Sequence, residues 1–138
     1  MVDLAITATE VQPGAGKTIS ATALEAIDAG ELFYLDTDGK ASLVDVTNVL
    51  KDEIAGIATN SAAAGQKVLG QKTGSVVIGA TASVGQGVVY VASANAPGKI
   101  APVADIVSTE GVSIVGVGNA ADGIVLGNGF NNSGVVVA

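Results

Sequence analysis

The feature that most constrains the fold is an internal repeat with a period of about 60 residues. Gly56, within Ile-Ala-Gly-Ile-Ala, is followed 60 positions later by Gly116, within Ile-Val-Gly-Val-Gly. The segment 33–35 (Phe-Tyr-Leu) has its counterpart in 89–91 (Val-Tyr-Val). A repeat of this length indicates that one supersecondary plan occurs twice. The recurring glycines, tyrosines and aspartates are therefore interpreted as parts of a backbone plan rather than as catalytic residues.

The repeat divides the chain into an arm and a body. We expect an extended N-terminal arm over 1–17 and a single β-rich domain over 18–138, with similar halves at about 18–76 and 77–138. A half of about 60 residues is marginally stable alone, so the two should share a core. Hydrophobic residues make up 49% of the chain but aromatic residues only 3%, so this core must be mainly aliphatic. Association with further subunits is expected to stabilise so small a core.

Short β-branched runs between glycine-rich turns predict strands. The clearest hairpin joins a strand over 32–35 to a strand over 41–46, through a turn that places Gly39 at positive φ. The segment 18–30 contains helix-forming residues, but its repeat partner carries two glycines close together, which favours strand and loop. Many short strands at regular spacing are typical of an all-β protein, either a compact β-barrel or a β-sandwich.

The composition excludes several classes of function. The chain has no Cys, His, Trp or Arg, and all six basic residues are Lys. Zinc and iron–sulfur ligation, disulfides and His-based catalysis are thereby excluded. A net charge of −7 opposes binding to nucleic acid or to an anionic membrane. The uncharged stretch 73–98 is interrupted by glycines and is interpreted as two strands rather than a membrane span. We expect no catalytic residue, cofactor, metal, nucleic acid or membrane partner.

Three motifs suggest chemistry but have a simpler interpretation. The segment 14–18 (Gly-Ala-Gly-Lys-Thr) is similar to the phosphate-binding loop of NTPases, but Val11 stands where that loop needs its first glycine. The turn 36–39 with Asp45 has some of the carboxylates of a calcium loop, but Tyr34 occupies the first ligand position. The remaining carboxylates are interpreted as a solvated face: Glu25, Asp28, Glu31, Asp52 and Glu53. We therefore expect a flexible turn at 14–18 and a hairpin turn at 36–39.

Three sequence segments, in a fixed order along the chain, resemble those of a known class of protein. They are 29–40 (Ala-Gly-Glu-Leu-Phe-Tyr-Leu-Asp, then Gly-Lys), 54–66 (Ile-Ala-Gly-Ile-Ala, then Ala-Ala-Ala-Gly-Gln) and 89–102 (Val-Tyr-Val, then Pro-Gly-Lys-Ile-Ala-Pro). In the composition and order of these segments, the chain resembles the small decoration, or cement, proteins of tailed-phage capsids. The resemblance spans about residues 29–137.

The resemblance implies a structural function. Proteins of this class are compact β-rich modules that assemble as homotrimers at three-fold positions of the outer capsid surface. They staple neighbouring subunits of the major capsid protein against the pressure of packaged DNA. We therefore expect a virion protein, made in the host cytoplasm, whose partners are the major capsid protein and itself. The alternative is a surface-displayed adhesin or carbohydrate-binding module, which the scarcity of aromatic residues disfavours.

The arm lies outside the repeat and is the segment to which we assign contact with a neighbouring subunit, by strand addition. The candidate contact residues for the capsid or for another subunit are Leu4, Ile6, Thr7, Val11 and Pro13. Deletion of residues 1–15 is expected to weaken capsid attachment while leaving a folded body.

Overall fold

The computed structural model describes residues 3–48, 51, 53–105, 111–127 and 130–136. Twelve strands are found there: β1 (Gln12–Pro13), β2 (Thr18–Thr22), β3 (Leu32–Leu35), β4 (Ala41–Leu43), β5 (Gly56–Ala58), β6 (Lys67–Gln71), β7 (Gly74–Val77), β8 (Val89–Ala92), β9 (Ile100–Pro102), β10 (Gly111–Gly118), β11 (Gly123–Gly127) and β12 (Asn131–Val136). Three single 3₁₀ turns lie at Ala8–Glu10, Ala80–Ala82 and Val103–Asp105. The described residues contain no α-helix, and the all-β prediction is confirmed.

The strands form two antiparallel sheets that stack in a sandwich-like arrangement. Sheet I has the order β2-β6-β5-β3-β4, and sheet II has the order β1-β7-β11-β10-β8-β9, with β12 also paired to β10. The predicted hairpin is present as β3 and β4, and Gly39 has a φ of 76°. The segment 18–30 is strand followed by loop, as its repeat partner indicated.

The two sheets have the same topology. The order β2-β6-β5-β3-β4 in sheet I is matched strand for strand by β7-β11-β10-β8-β9 in sheet II. The register agrees as well, because Phe33 lies opposite Gly56 and Tyr90 lies opposite Gly116. Tyr90 therefore corresponds to Phe33, whereas the sequence comparison had aligned it with Tyr34. The difference matters because a shift of one residue moves a side chain to the other face of a strand.

The strand order also assigns β7 differently from the sequence comparison. In sheet II, β7 takes the position that β2 takes in sheet I, so 74–77 belongs with the second set of strands. The sequence had placed this segment at the end of the first half and matched it to 134–137. The strand β12 has no counterpart in sheet I, since it pairs with the start of β10, where Gly111 lies opposite Val136.

Equivalent faces of the two sheets have different neighbours. Leu32 and Ile57 lie opposite each other on one face of sheet I and are buried in the main core. That core also contains Tyr90 and Ile124 of sheet II. Phe33, the counterpart of Tyr90, lies on the other face of sheet I, in a separate cluster. The sheets are therefore stacked in the same sense: the Leu32 face of sheet I packs on the Tyr90 face of sheet II.

This stacking explains why equivalent connections differ in length. The loop 59–66 between β5 and β6 covers the Phe33 face, and two hydrogen bonds of 2.9 and 2.8 Å join Ile27 to Ala62 over it. In sheet II the equivalent face is covered by sheet I, and the connection 119–122 between β10 and β11 is a tight turn. A longer loop there would occupy the space that sheet I fills.

Candidate functional site

In this single chain the N-terminal arm lies on its own body, and the predicted contact with a neighbouring subunit stays a prediction. The amide of Leu4 donates to the carbonyl of Ile100 at 2.7 Å, which places the arm beside β9. Ile6 packs over Gly30, where a Cβ would lie only 2.5 Å from Cγ2 of Ile6. Val11 is 7% exposed and belongs to the main core. The predicted contact role of Val11 stays a prediction, and in this single chain the Val11 side chain is buried.

The other candidate contact residues remain partly or fully accessible. Leu4, Ile6 and Thr7 are half-buried. The Thr7 carbonyl accepts the amide of Glu10 at 2.9 Å and so begins the 3₁₀ turn. Pro13 is exposed in β1, opposite Val76 at the edge of sheet II, a position that suits a residue without an amide hydrogen.

A cavity of about 140 Å³ lies between the arm and the body. It is lined by Leu4, Ile6 and Ala8 of the arm and by 28–31 and Lys99 of the body. One wall is polar: Lys99 Nζ lies 2.9 Å from Glu31 Oε2, and Glu31 Oε1 accepts the amide of Asp28 at 2.8 Å. The first part of the arm is therefore packed less completely than the part around Val11.

Glu10 fixes the arm to the segment that precedes β8. Its carboxylate accepts the Thr81 hydroxyl at 2.6 Å and the Thr81 amide at 3.1 Å. These bonds, first that of the hydroxyl and then that of the amide, lower the pKa of Glu10 from its ordinary value of 4.5. No sequence pattern indicated this contact, because the two residues are 71 positions apart.

The glycine-rich segment 14–18 is a strand crossing rather than a flexible turn. Pro13 and Thr18 pair with Val76 and Gln71, so both strands advance five residues and the register does not slip. Segments 12–22 and 67–77 thus form one antiparallel ribbon that passes from sheet II to sheet I. At the crossing the backbones touch, and a Cβ on Gly74 would lie 1.7 Å from the carbonyl oxygen of Ala15.

Backbone groups of Lys17 and Ala15 are hydrogen-bonded within the ribbon. The Lys17 amide donates to Thr73 Oγ1 at 2.7 Å. The buried amide nitrogen of Gln71 donates to the carbonyls of Thr73, at 2.8 Å, and Ala15, at 3.3 Å. The glycines allow two backbones to approach each other, which accounts for them without a phosphate ligand.

The carboxylates singled out from the sequence stabilise turns and loops. Asp36 accepts the amides of Asp38 and Lys40, each at 2.9 Å, within the β3–β4 turn. Asp45 accepts the amide and the hydroxyl of Thr47. Glu25 accepts the hydroxyl of Ser42 and the amide of Leu43. Within the described part of the chain, no group of three or more acidic side chains is placed to hold a metal ion. Asp52 lies outside the described residues.

All four aromatic side chains of the chain pack on the two cores. Phe33 and Tyr90 are buried, and Tyr34 and Phe130 are partly buried against the main core. An aromatic platform for a sugar ring needs an exposed aromatic face, which none of these four provides. This arrangement gives no support to the carbohydrate-binding alternative.

A row of valines on the outer face of sheet II was not singled out from the sequence. Val89 lies opposite Val117, and Val117 lies opposite Val125. Val117 is 40% exposed and Val125 is 44% exposed, and Val89 is half-buried. We call this surface the open face. Alternation along a strand indicates that one side is buried, but it does not show which sheet ends the stack.

The chain matches no protein-family model, no curated protein and no solved structure in the three comparisons made. Among the residues that the structure describes, there is no helix long and apolar enough to span a membrane.

Proposed function

We propose that this chain is a capsid decoration protein, which binds the outer surface of a phage head as a homotrimer and staples neighbouring major capsid subunits. The observation that carries the proposal is that the polar groups form hydrogen bonds within the fold. Asp36 and Glu25, two carboxylates that suggested chemistry, instead hold a turn and a loop, and Glu10 holds the arm. Such a molecule is a passive scaffold, and the resemblance to cement proteins gives that scaffold its role.

The arm supports the same role. Its first described residues lie at the surface over a cavity, held by a backbone hydrogen bond at Leu4 and by the Asn95 side chain, which donates to Asp3 at 3.3 Å, while Val11 and β1 anchor its base. An anchored base and a weakly packed tip suit a segment that exchanges its contacts for those of a neighbouring subunit. On the capsid, Leu4, Ile6 and Thr7 are the residues that meet the neighbour.

The test uses shells assembled from the major capsid protein encoded in the same genome. Purified chain is mixed with the shells, and bound protein is measured by co-sedimentation and by cryo-electron microscopy. We expect saturable binding at three-fold positions and a higher temperature of shell disassembly. Absence of co-sedimentation with expanded shells would overturn the proposal. Binding of the isolated chain to a glycan array would favour the adhesin alternative instead.

A further inference from the structure

We propose that the open face of sheet II binds a second copy of this chain and is buried at the symmetry axis of the oligomer. The inference rests on the proposed function, because it names the surface through which the decoration protein associates with itself. It concerns the valine row defined above and the strands that carry it, β8, β10 and β11.

The first support is the internal equivalence of the two sheets. By register, Val89 corresponds to Leu32 and Val117 corresponds to Ile57. Leu32 and Ile57 are fully buried, because that face of sheet I packs on sheet II. The face of sheet I that is equivalent to the open face is thus an interface within the chain. The open face of sheet II carries apolar residues of the same kind, but neither of the two described sheets packs against it.

The second support is the distribution of charge. None of the seven strands of sheet II contains a charged residue, in a chain whose net charge is −7. Two identical acidic molecules repel each other wherever their charged surfaces meet. An uncharged apolar face is where two copies approach at the lowest electrostatic cost, and the cores of interfaces are typically depleted of charged residues.

The third support decides how the copies meet. Loops 23–29 and 59–65 close the Phe33 face of sheet I, so another copy cannot continue the internal stacking there. Stacking that continued in the same sense from copy to copy would build an open filament. With that end closed, the open face of one copy meets the open faces of its neighbours about a closed symmetry axis.

The first experiment compares two matched lysine variants by sedimentation velocity on the isolated protein. Val125→Lys changes the open face on β11, and Leu69→Lys changes the equivalent strand β6 of sheet I at almost the same exposure, 44% against 45%. We expect the unmodified chain and L69K to sediment as the same oligomer. We expect V125K to dissociate about tenfold more readily or more, the effect of roughly 1.4 kcal/mol. A monomeric unmodified chain, or equal dissociation of both variants, would overturn the proposal.

A second measurement leaves the interface nearly intact. Because the chain contains no Cys, Val125→Cys and Leu69→Cys each introduce a single thiol. We expect the thiol of V125C to react slowly with a maleimide at high protein concentration and rapidly after dilution, whereas L69C reacts rapidly at both. Protection of the V125C thiol that does not change on dilution would show that the same chain covers the face, and would overturn the inference.

These outcomes are separable from those of the shell-binding test. Self-association is measured without shells, and shell binding is measured with them. Shell binding by a chain that is monomeric in solution and whose V125C thiol stays reactive would remove the inference and leave the proposed function. A chain that forms the oligomer but does not bind shells would remove the proposed function and leave the inference.

Discussion

The ring of Phe33 lies directly against the backbone of Gly70, two strands away in sheet I. A Cβ on Gly70 would lie 2.6 Å from both Cε1 and Cζ of the ring. The ring also covers Gly56, where a Cβ would lie 3.0 Å from Cζ. One buried aromatic side chain therefore fills the space left by glycines on β5 and β6, a device that strengthens glycine-containing strands.

This contact predicts the effect of substitutions at both positions. Gly70→Ala should destabilise the fold by about 1–3 kcal/mol through overpacking. Phe33→Ala should cost about 3–5 kcal/mol because it leaves a cavity. Both are measured by urea unfolding at equilibrium. The control is a cycle of F33L, G70A and F33L/G70A: the smaller side chain makes room for the new methyl group, so the double variant should cost less than the sum of the F33L and G70A costs. Additive costs would contradict the contact.

Gly74 and Gly65 form a matched pair that tests the ribbon crossing. Both have positive φ, 80° and 88°, so an alanine at either is strained by about 1–2 kcal/mol. Gly65 has no atom within 4 Å of a new Cβ, whereas a Cβ on Gly74 would meet the Ala15 carbonyl. Gly65→Ala should therefore lower the unfolding free energy by that strain alone. Gly74→Ala should prevent the native crossing, detected as loss of the cooperative thermal transition. Similar transitions for both would show that the backbones do not touch.

The Glu10–Thr81 contact predicts a stability that falls in acid. The pKa of Glu10 is lowered in the folded chain, so its contribution is complete above the unfolded value of 4.5 and is lost as the pH falls below it, through the folded pKa. The thermal midpoint of Glu10→Gln should therefore change less between pH 5 and pH 3 than that of the unmodified chain. Thr81→Val, which removes the hydroxyl donor, should flatten the profile in the same direction. Parallel profiles for all three proteins would contradict the contact.

Two truncations separate the tip of the arm from its base. Removal of residues 1–7 deletes Leu4 and Ile6 but leaves Val11, so the body should remain folded while binding to shells weakens. Removal of residues 1–13 also deletes Val11 and β1, and the loss of buried Val11 alone costs about 1.5–3 kcal/mol. The predicted tolerance of a deletion through residue 15 is revised accordingly. Thermal unfolding and co-sedimentation measure the two effects. Full shell binding by the shorter truncation would remove the arm from the capsid contact.

Local sequence patterns predicted the elements that depend on near neighbours. The β3–β4 hairpin follows from an apolar run, a turn with Gly39 and a second apolar run, all within a dozen residues. The repeat indicated that 18–30 is strand and loop, although its local residues favour a helix, and the glycines within 73–98 indicated two strands there. The burial of Val11 could not be predicted from local patterns, because the adjoining strand β1 pairs with β7, more than 60 positions away.

The sequence by itself determined that this protein is all-β, that its core is aliphatic and that its plan occurs twice, since composition, alternation and period are properties of the chain. Only the tertiary structure decided that the two sheets stack in the same sense, that Tyr90 corresponds to Phe33, and that the glycines at 14–16 and Gly74 serve a backbone crossing. The physical reason is that each of these depends on pairing between distant strands. A register shift of one residue exchanges the two faces of a strand while leaving its local pattern unchanged.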